Sequence, residues 1–197
     1  MHARILTSFA LVLALLATSV AQARPLAPDE QRASLLTLLG GHHFRADRRT
    51  FDRLGPAREI SDHLIHFTGN PKLRPTLRRR AITALRVYPT VRVRKVLDAV
   101  LYDPGLKESW GVAMRREAML SLAIAFKGRA ITSISNHRDA TDPQIREGCA
   151  RALGATQHRN ALPLLDAWLP NEPELFVRLA VDHAIAHIRG HKSRQDR

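Results

Sequence analysis

The chain has 197 residues, with 31 Lys and Arg against 18 Asp and Glu, so its formal net charge is +13 at pH 7. Its single cysteine, Cys149, excludes a framework of intramolecular disulfides, and the length is sufficient for a core held by apolar burial alone. The excess of positive charge favours a polyanionic partner, such as an acidic protein, an anionic lipid surface or an anionic polymer.

The N-terminus has the pattern of a secretory signal peptide. One positive charge, Arg4, precedes an apolar run over residues 5–17, and Ala21-Gln22-Ala23 supplies the small residues that a signal peptidase recognises. This run is shorter than the roughly 20 apolar residues that a membrane-spanning helix needs. We therefore predict a signal peptide over residues 1–23, cleavage after Ala23, and export to the periplasm or the cell exterior.

Residues 24–69 contain two helical patterns separated by a polar segment. The first pattern runs from Asp29 to Leu39, and the second contains the apolar residues Ile60, Leu64, Ile65 and Phe67. Gly40–Arg49, between them, is polar and begins with two glycines, which predicts a long loop. The two patterns together predict a degenerate first helix pair.

A short pattern recurs four times within residues 70–190. It consists of an apolar residue, Arg, two free positions, a small or apolar residue, two free positions, a small residue and an apolar residue. The copies begin at Leu77, Met114, Ile145 and Val177. Positions one, five, eight and nine lie on one side of an α-helix. Each copy therefore predicts an amphipathic helix whose small residues allow a neighbouring helix to approach closely.

A second helix is predicted after each of the first three copies. Residues 96–101 and 164–169 lie at the same offset from the preceding Arg, and both contain Leu-Asp-Ala. The middle copy, which includes Ala130, Ile131 and Ile134, keeps the apolar spacing but is the weakest of the three.

Acid–Pro pairs punctuate the chain between the helix pairs, at Asp103-Pro104, Asp142-Pro143 and Glu172-Pro173. An acid can cap the following helix and Pro suits its first turn, so these pairs predict helix starts. The fourth Arg-bearing helix is expected to end at Gly190. Residues 191–197 are polar and charged, which predicts a disordered basic tail.

This pattern resembles the HEAT repeats. The third copy, from Asp142-Pro143-Gln144-Ile145-Arg146 to Ala150-Arg151-Ala152-Leu153-Gly154, is similar to the variant named for the phycobilisome-linker lyases. The resemblance implies an all-α fold, an α-solenoid of about four stacked helix pairs that ends on a half-repeat. It also implies that the Arg at position two is structural and forms a ladder along the stack, here Arg78, Arg115, Arg146 and Arg178.

The densest basic run covers residues 72–95, which contain no acidic residue. A solvated face is one interpretation of such a run, and contact with an anionic partner is the other, since nothing within the run neutralises its charge. Arg79 and Arg80 hold free positions of the repeat and are predicted to point outward. Together with Arg92 and Arg94 they form the predicted partner-binding set. Aromatic side chains for base stacking are scarce in the run, which disfavours nucleic acid.

Histidines and Cys149 are the remaining candidates for chemistry. His183, His187 and His191 are spaced by four and would form a metal-binding stripe on a continuous helix, but no acid or cysteine completes the ligand set. Cys149 occupies a packing position, where a buried and unreactive thiol is expected. The chain has no phosphate-binding loop, zinc-protease motif or nucleophile elbow.

The sequence therefore predicts an exported, non-catalytic scaffold without a cofactor, which docks an acidic protein on a basic helical surface. The alternative is a peripheral binder of anionic envelope lipid or polymer. A third interpretation, a metal-binding protein or a pigment-attaching lyase, rests on the histidines and on the HEAT-like resemblance. The identity of the partner and the oligomeric state are left open.

Overall fold

The computed structural model describes residues 26–106 and 108–195, and all regular elements in these ranges are helices. The predicted all-α class is therefore confirmed for this part of the chain. Within it, none of the helices combines the length and the apolar character needed to cross a bilayer. The predicted signal peptide lies outside the described residues.

The helices follow one another with short connections. In chain order they are α1 (Pro28–Gly40), α2 (Arg48–Asp52), α3 (Ala57–Gly69), α4 (Pro75–Leu85), α5 (Val91–Tyr102), α6 (Glu108–Phe126), α7 (Ile131–Ser135), α8 (Pro143–Ala155), α9 (Leu162–Trp168) and α10 (Leu175–Gln195). Short 3-10 turns precede α7 and α9 and follow α9, at Lys127–Ala130, Arg159–Ala161 and Leu169–Asn171.

The four copies of the pattern form α4, α6, α8 and α10, and each buries the predicted face. Positions five, eight and nine are buried in all four helices; position one is buried in α6, α8 and α10 and half-buried, as Leu77, in α4. This prediction is confirmed because a helical period of 3.6 residues brings these positions to one side regardless of what the helix packs against.

The helices α4, α6, α8 and α10 pack in sequence: α4 contacts α6, α6 contacts α8, and α8 contacts α10. We call these four the row helices. At the N-terminal end of this row, α1 also contacts α4. Each row helix has the preceding helix of the chain packed beside it: α3 beside α4, α5 beside α6, α7 beside α8 and α9 beside α10. The predicted weak second helix is present as α7 with the 3-10 turn before it, and Ala130, Ile131 and Ile134 are buried.

Small residues bring the row helices into close contact. A Cβ added to Gly154 of α8 would lie only 2.8 Å from the Cβ of Ala184 in α10. Between the first two row helices, the buried Ser121 hydroxyl of α6 donates to the carbonyl oxygen of Ile82 in α4 at 3.1 Å. The small positions of the pattern thus allow backbones, and not only side chains, to meet.

Of the three predicted acid–Pro helix starts, one begins a helix as expected. The Asp142 carboxylate accepts from the backbone N–H of Gln144 at 2.8 Å, and Pro143 opens α8. Asp103 was predicted to start α6, and this is wrong. Its carboxylate accepts from the backbone N–H of Gly105 at 2.8 Å and closes a turn, so that α6 begins at Glu108.

The expected helix stop at Gly190 is also wrong, because α10 continues through it to Gln195. A glycine inside a helix costs roughly 1 kcal/mol relative to Ala but does not end the helix unless it adopts a left-handed conformation. No glycine of the described part of the chain has a positive φ. The helix thus extends into the segment predicted as a disordered tail.

Candidate functional site

The four arginines at position two all donate to carbonyl groups that follow or end the preceding helix. Arg78 donates to the oxygen of Thr68 at 3.1 Å, and Arg115 donates to those of Leu101 and Asp103 at 3.2 and 2.7 Å. Arg146 and Arg178 make the same kind of contact with the carbonyls of Ala140, Thr141, Glu172 and Pro173 at 2.7–3.1 Å. Arg78 and Arg115 thus satisfy acceptors that a helix end leaves without intrahelical partners, whereas Arg146 and Arg178 bond carbonyls of the loop just before their own helix.

Arg146 additionally forms a buried ion pair with Glu172. Its side chain is 12% exposed and that of Glu172 is 1% exposed, and two N–H···O bonds of 2.7 and 3.0 Å join them. Trp168 Nε1 and the backbone N–H of Glu174 also donate to this carboxylate. Burial raises the pKa of Glu172, but these hydrogen bonds outweigh burial and hold the pKa below its ordinary value.

The predicted partner-binding arginines have different partners, and Arg80 does not point outward as expected. Its guanidinium donates to the carbonyl oxygens of Leu39 and Gly41 at 2.6 and 2.9 Å and lies 5.5 Å from the ring centre of Phe44. Arg80 therefore caps the C-terminal end of α1. The outward orientation is wrong because α1 packs across the face of α4 that Arg80 occupies.

Arg92 and Arg94 lie on α5 and have partners from outside the basic run. Arg92 forms an ion pair of 2.5 Å with Asp62 of α3, in which the Arg92 side chain is 62% exposed and that of Asp62 is 38% exposed. Arg94 donates to the carbonyl oxygen of Arg129 at 2.9 Å and lies 3.6 Å from Asp98. The absence of acid within residues 72–95 therefore does not leave these two charges unneutralised.

Arg79 is the member of the predicted set that remains available. It is exposed on α4, and no group of the described residues bonds its guanidinium. It lies on the row helices and borders a small depression that also includes Arg116 of α6 and Arg151 of α8.

A groove that was not predicted from the sequence lies across α6, α8 and α10. Its volume is about 730 Å³, and its walls include Leu120 and Ile124 from α6 and Phe176 and Leu179 from α10. Phe176 is 45% exposed and Leu179 is 51% exposed. We call it the α10 groove. The sequence contains one indication of this groove: Leu179 is a bulky apolar residue at a free position of the repeat, where a polar residue would be expected.

Polar and cationic side chains complete the walls of the α10 groove. Arg151 of α8 lines it, as do Lys127 and Gln157, which follow α6 and α8. Lys127 and Gln157 have φ of 52° and 54°, the left-handed conformation that favours glycine. Such strain in non-glycine residues concentrates at functional sites. The two left-handed residues of the described chain that are not glycine thus both border this groove.

The histidines predicted as weak metal candidates also line the α10 groove. His183 and His187 are exposed there, and Nε2 of His187 lies 3.1 Å from Nε2 of Gln157. No cluster of three or more His, Cys, Asp or Glu suited to a metal ion occurs among the residues that the structure describes.

Cys149 is fully buried, as predicted. Its Sγ lies 3.2 Å from the carbonyl oxygen of Ile134, and burial raises the pKa of the thiol. Because a thiolate is the nucleophilic form, this environment suppresses its reactivity.

No protein-family model matches the chain, and a comparison with curated proteins gives no match either. The site is therefore characterised by its own geometry: a partly apolar groove whose exposed aromatic and aliphatic side chains stand beside cations.

Proposed function

We propose that this chain is an exported, non-catalytic HEAT-like scaffold that docks a segment of an acidic protein in the α10 groove. The observation that carries the proposal is the exposure of Phe176 and Leu179 on the wall of that groove, with Leu120 and Ile124 opposite them. Fully burying such a side chain contributes roughly 1.5–3 kcal/mol, so covering these half-exposed residues contributes about 1 kcal/mol each.

The HEAT-like assignment is supported by a recurring unit of contacts. The row helices pack in chain order, the second helix of the preceding pair packs beside each of them, and each carries an arginine that donates to carbonyls of the segment before it. A solenoid built in this way presents an extended surface to a partner. On this proposal α1 and α3 form the degenerate first pair, and α10 is the final half-repeat.

The acidic character of the partner is supported by the cations around the groove. Lys127 and Arg151 line it, and the chain as a whole has a net charge of +13. A positive surface attracts negatively charged proteins and speeds their association at low salt. Among the originally predicted set, Arg79 is the residue that fits this docking surface, while Arg80, Arg92 and Arg94 serve contacts elsewhere.

A photo-crosslinking amino acid placed at Leu179 tests the proposal in the native envelope. The matched control is Leu175, which is also exposed on α10, at 62%, but does not line the groove. We expect one acidic protein to be captured reproducibly from position 179 and not from 175, and capture to be lost when Phe176→Asp is added.

Equal capture from both positions, or capture that survives Phe176→Asp in a folded variant, would contradict the proposal. Sedimentation of the wild-type chain with anionic vesicles or envelope polymer, without any captured protein, would establish the alternative of a peripheral surface binder. The N-terminus of the exported protein, read by mass spectrometry, should be Arg24.

A further inference from the structure

A second, more polar depression adjoins the α10 groove. It has a volume of about 280 Å³ and is lined by one arginine from each of three row helices, Arg79 of α4, Arg116 of α6 and Arg151 of α8. We call it the arginine pocket. Leu120 and Arg151 line both depressions, so the pocket and the α10 groove are continuous.

The buried carboxylate of Glu147 holds two of these arginines in place. The Glu147 side chain is 8% exposed and forms ion pairs with Arg116 of α6 and with Arg151 of its own helix. Gly148 makes room for this arrangement, because a Cβ there would lie 2.7 Å from the Cγ of Arg116. Both guanidiniums therefore lie beside the same carboxylate before any partner binds.

The pocket retains unused donors and positive charge. Each guanidinium has five N–H groups, and Arg116 and Arg151 each contact Glu147 through one nitrogen. The Arg79 guanidinium has no bonding partner among the described residues. Three arginines face two acids, Glu147 and Glu117, so the pocket keeps one positive charge in excess.

We propose that the arginine pocket binds a side-chain carboxylate of the acidic segment that docks in the α10 groove. Guanidinium groups recognise carboxylates through paired, charge-assisted N–H···O bonds, which are stronger and more directional than neutral hydrogen bonds. This inference rests on the proposed function and adds a direction to it. The apolar anchor of the partner lies at α10, and its carboxylate points toward α4.

The geometry also sets the spacing of the recognised residues. The arginine pocket spans α4, α6 and α8, and the α10 groove spans α6, α8 and α10, so their centres are one helix apart in the row. Packed helices lie about 8–10 Å apart, which gives the distance between the two centres. An extended chain advances about 3.3 Å per residue. A bulky apolar residue and an Asp or Glu about three positions away should therefore reach both depressions at once.

Selection from a phage-displayed library of random dodecapeptides, performed on the exported chain, tests this pairing. We expect enriched peptides to combine a bulky apolar residue with Asp or Glu at about that spacing. Affinity of a synthetic copy should fall about tenfold with Arg79→Glu. The matched control is Lys95→Glu, which changes the net charge equally at an exposed residue of α5 outside both depressions and should change affinity less than twofold.

The outcomes separate this inference from the proposed function. Peptides that require Phe176 and Leu179 but carry no acidic residue, or that bind Arg79→Glu as well as the wild type, would refute the arginine pocket and leave the docking groove standing. Peptides that bind equally well to Phe176→Asp would refute both. An equal loss in Arg79→Glu and Lys95→Glu would mean that only the overall charge matters, which also refutes a local carboxylate site.

Discussion

Replacing Arg146 with Met should be the most damaging change among the position-two arginines. The substitution keeps most of the side-chain volume but removes the bonds to the carbonyls of Ala140 and Thr141 and leaves the Glu172 carboxylate buried without its cation. Breaking a buried ion pair in this way costs about 3–5 kcal/mol. For a chain of this size the midpoint of thermal unfolding should fall by on the order of 10 °C.

Arg115→Met is the matched control for this experiment. Arg115 bonds the carbonyls of Leu101 and Asp103 but has no acidic partner in the described chain, so its loss should cost about 2 kcal/mol. The assay is urea unfolding followed by circular dichroism and by tryptophan fluorescence, which arises from Trp110 and from Trp168, the donor to Glu172. The reasoning is refuted if the two variants are destabilised equally at pH 7.

The pH dependence gives a second readout of the same pair. Because the folded-state pKa of Glu172 is lowered, its ionised form stabilises the wild type above the ordinary Glu pKa of about 4.3, and this contribution is lost as the pH falls below that value. Without Arg146, burial should raise the pKa of Glu172, so that the variant loses stability as the pH rises. The difference in unfolding free energy between wild type and Arg146→Met should therefore be smaller at pH 4 than at pH 7. Adding Glu172→Gln should recover part of the loss at pH 7.

Three further predictions concern packing, capping and the groove. Gly154→Ala should lower the free energy of unfolding, measured in urea, by about 1–3 kcal/mol, because the added Cβ would meet Ala184. Gly190→Ala should raise it by up to about 1 kcal/mol, because the added Cβ meets nothing within 4 Å and Ala favours the helix. Arg80→Ala should cost about 1.5–3 kcal/mol and increase proteolysis of the segment after α1, whereas Arg79→Ala should change stability by less than about 0.5 kcal/mol. Lys127→Gly should raise stability by about 1 kcal/mol by relieving a left-handed conformation, yet weaken peptide binding to the groove; unchanged binding would contradict a role for this side chain.

Adjacent arginines show where local sequence stops being informative. Arg79 and Arg80 both occupy free positions of the same repeat copy, and their sequence context treats them alike. In the structure Arg79 has no bonding partner among the described residues, while Arg80 bonds the carbonyl of Leu39, which is 41 residues earlier in the chain. The difference arises because α1 packs on one side of α4 and not on the other.

The acid–Pro pairs also have the same local sequence but different structural roles. Asp103 and Asp142 are both followed by Pro, yet Asp142 caps α8 and Asp103 closes a turn before α6. A capping side chain competes with nearby turn conformations that use the same acceptor, and the balance depends on where the next helix must begin in order to pack. Glu172, the acid of the third pair, differs from both aspartates because its carboxylate forms an ion pair with Arg146 of α8.

The sequence by itself determined the helical class, the positions of the row helices and the faces they bury, because the 3.6-residue period and the small residues are local properties of each segment. Tertiary structure alone decided the destinations of the long charged side chains and the existence of the α10 groove and the arginine pocket. Each depression combines residues from three row helices: Arg79, Arg116 and Arg151 line the arginine pocket, and Leu120, Arg151 and Leu179 line the α10 groove. Their proximity depends on how whole helices pack, and that packing is a property of the assembled core.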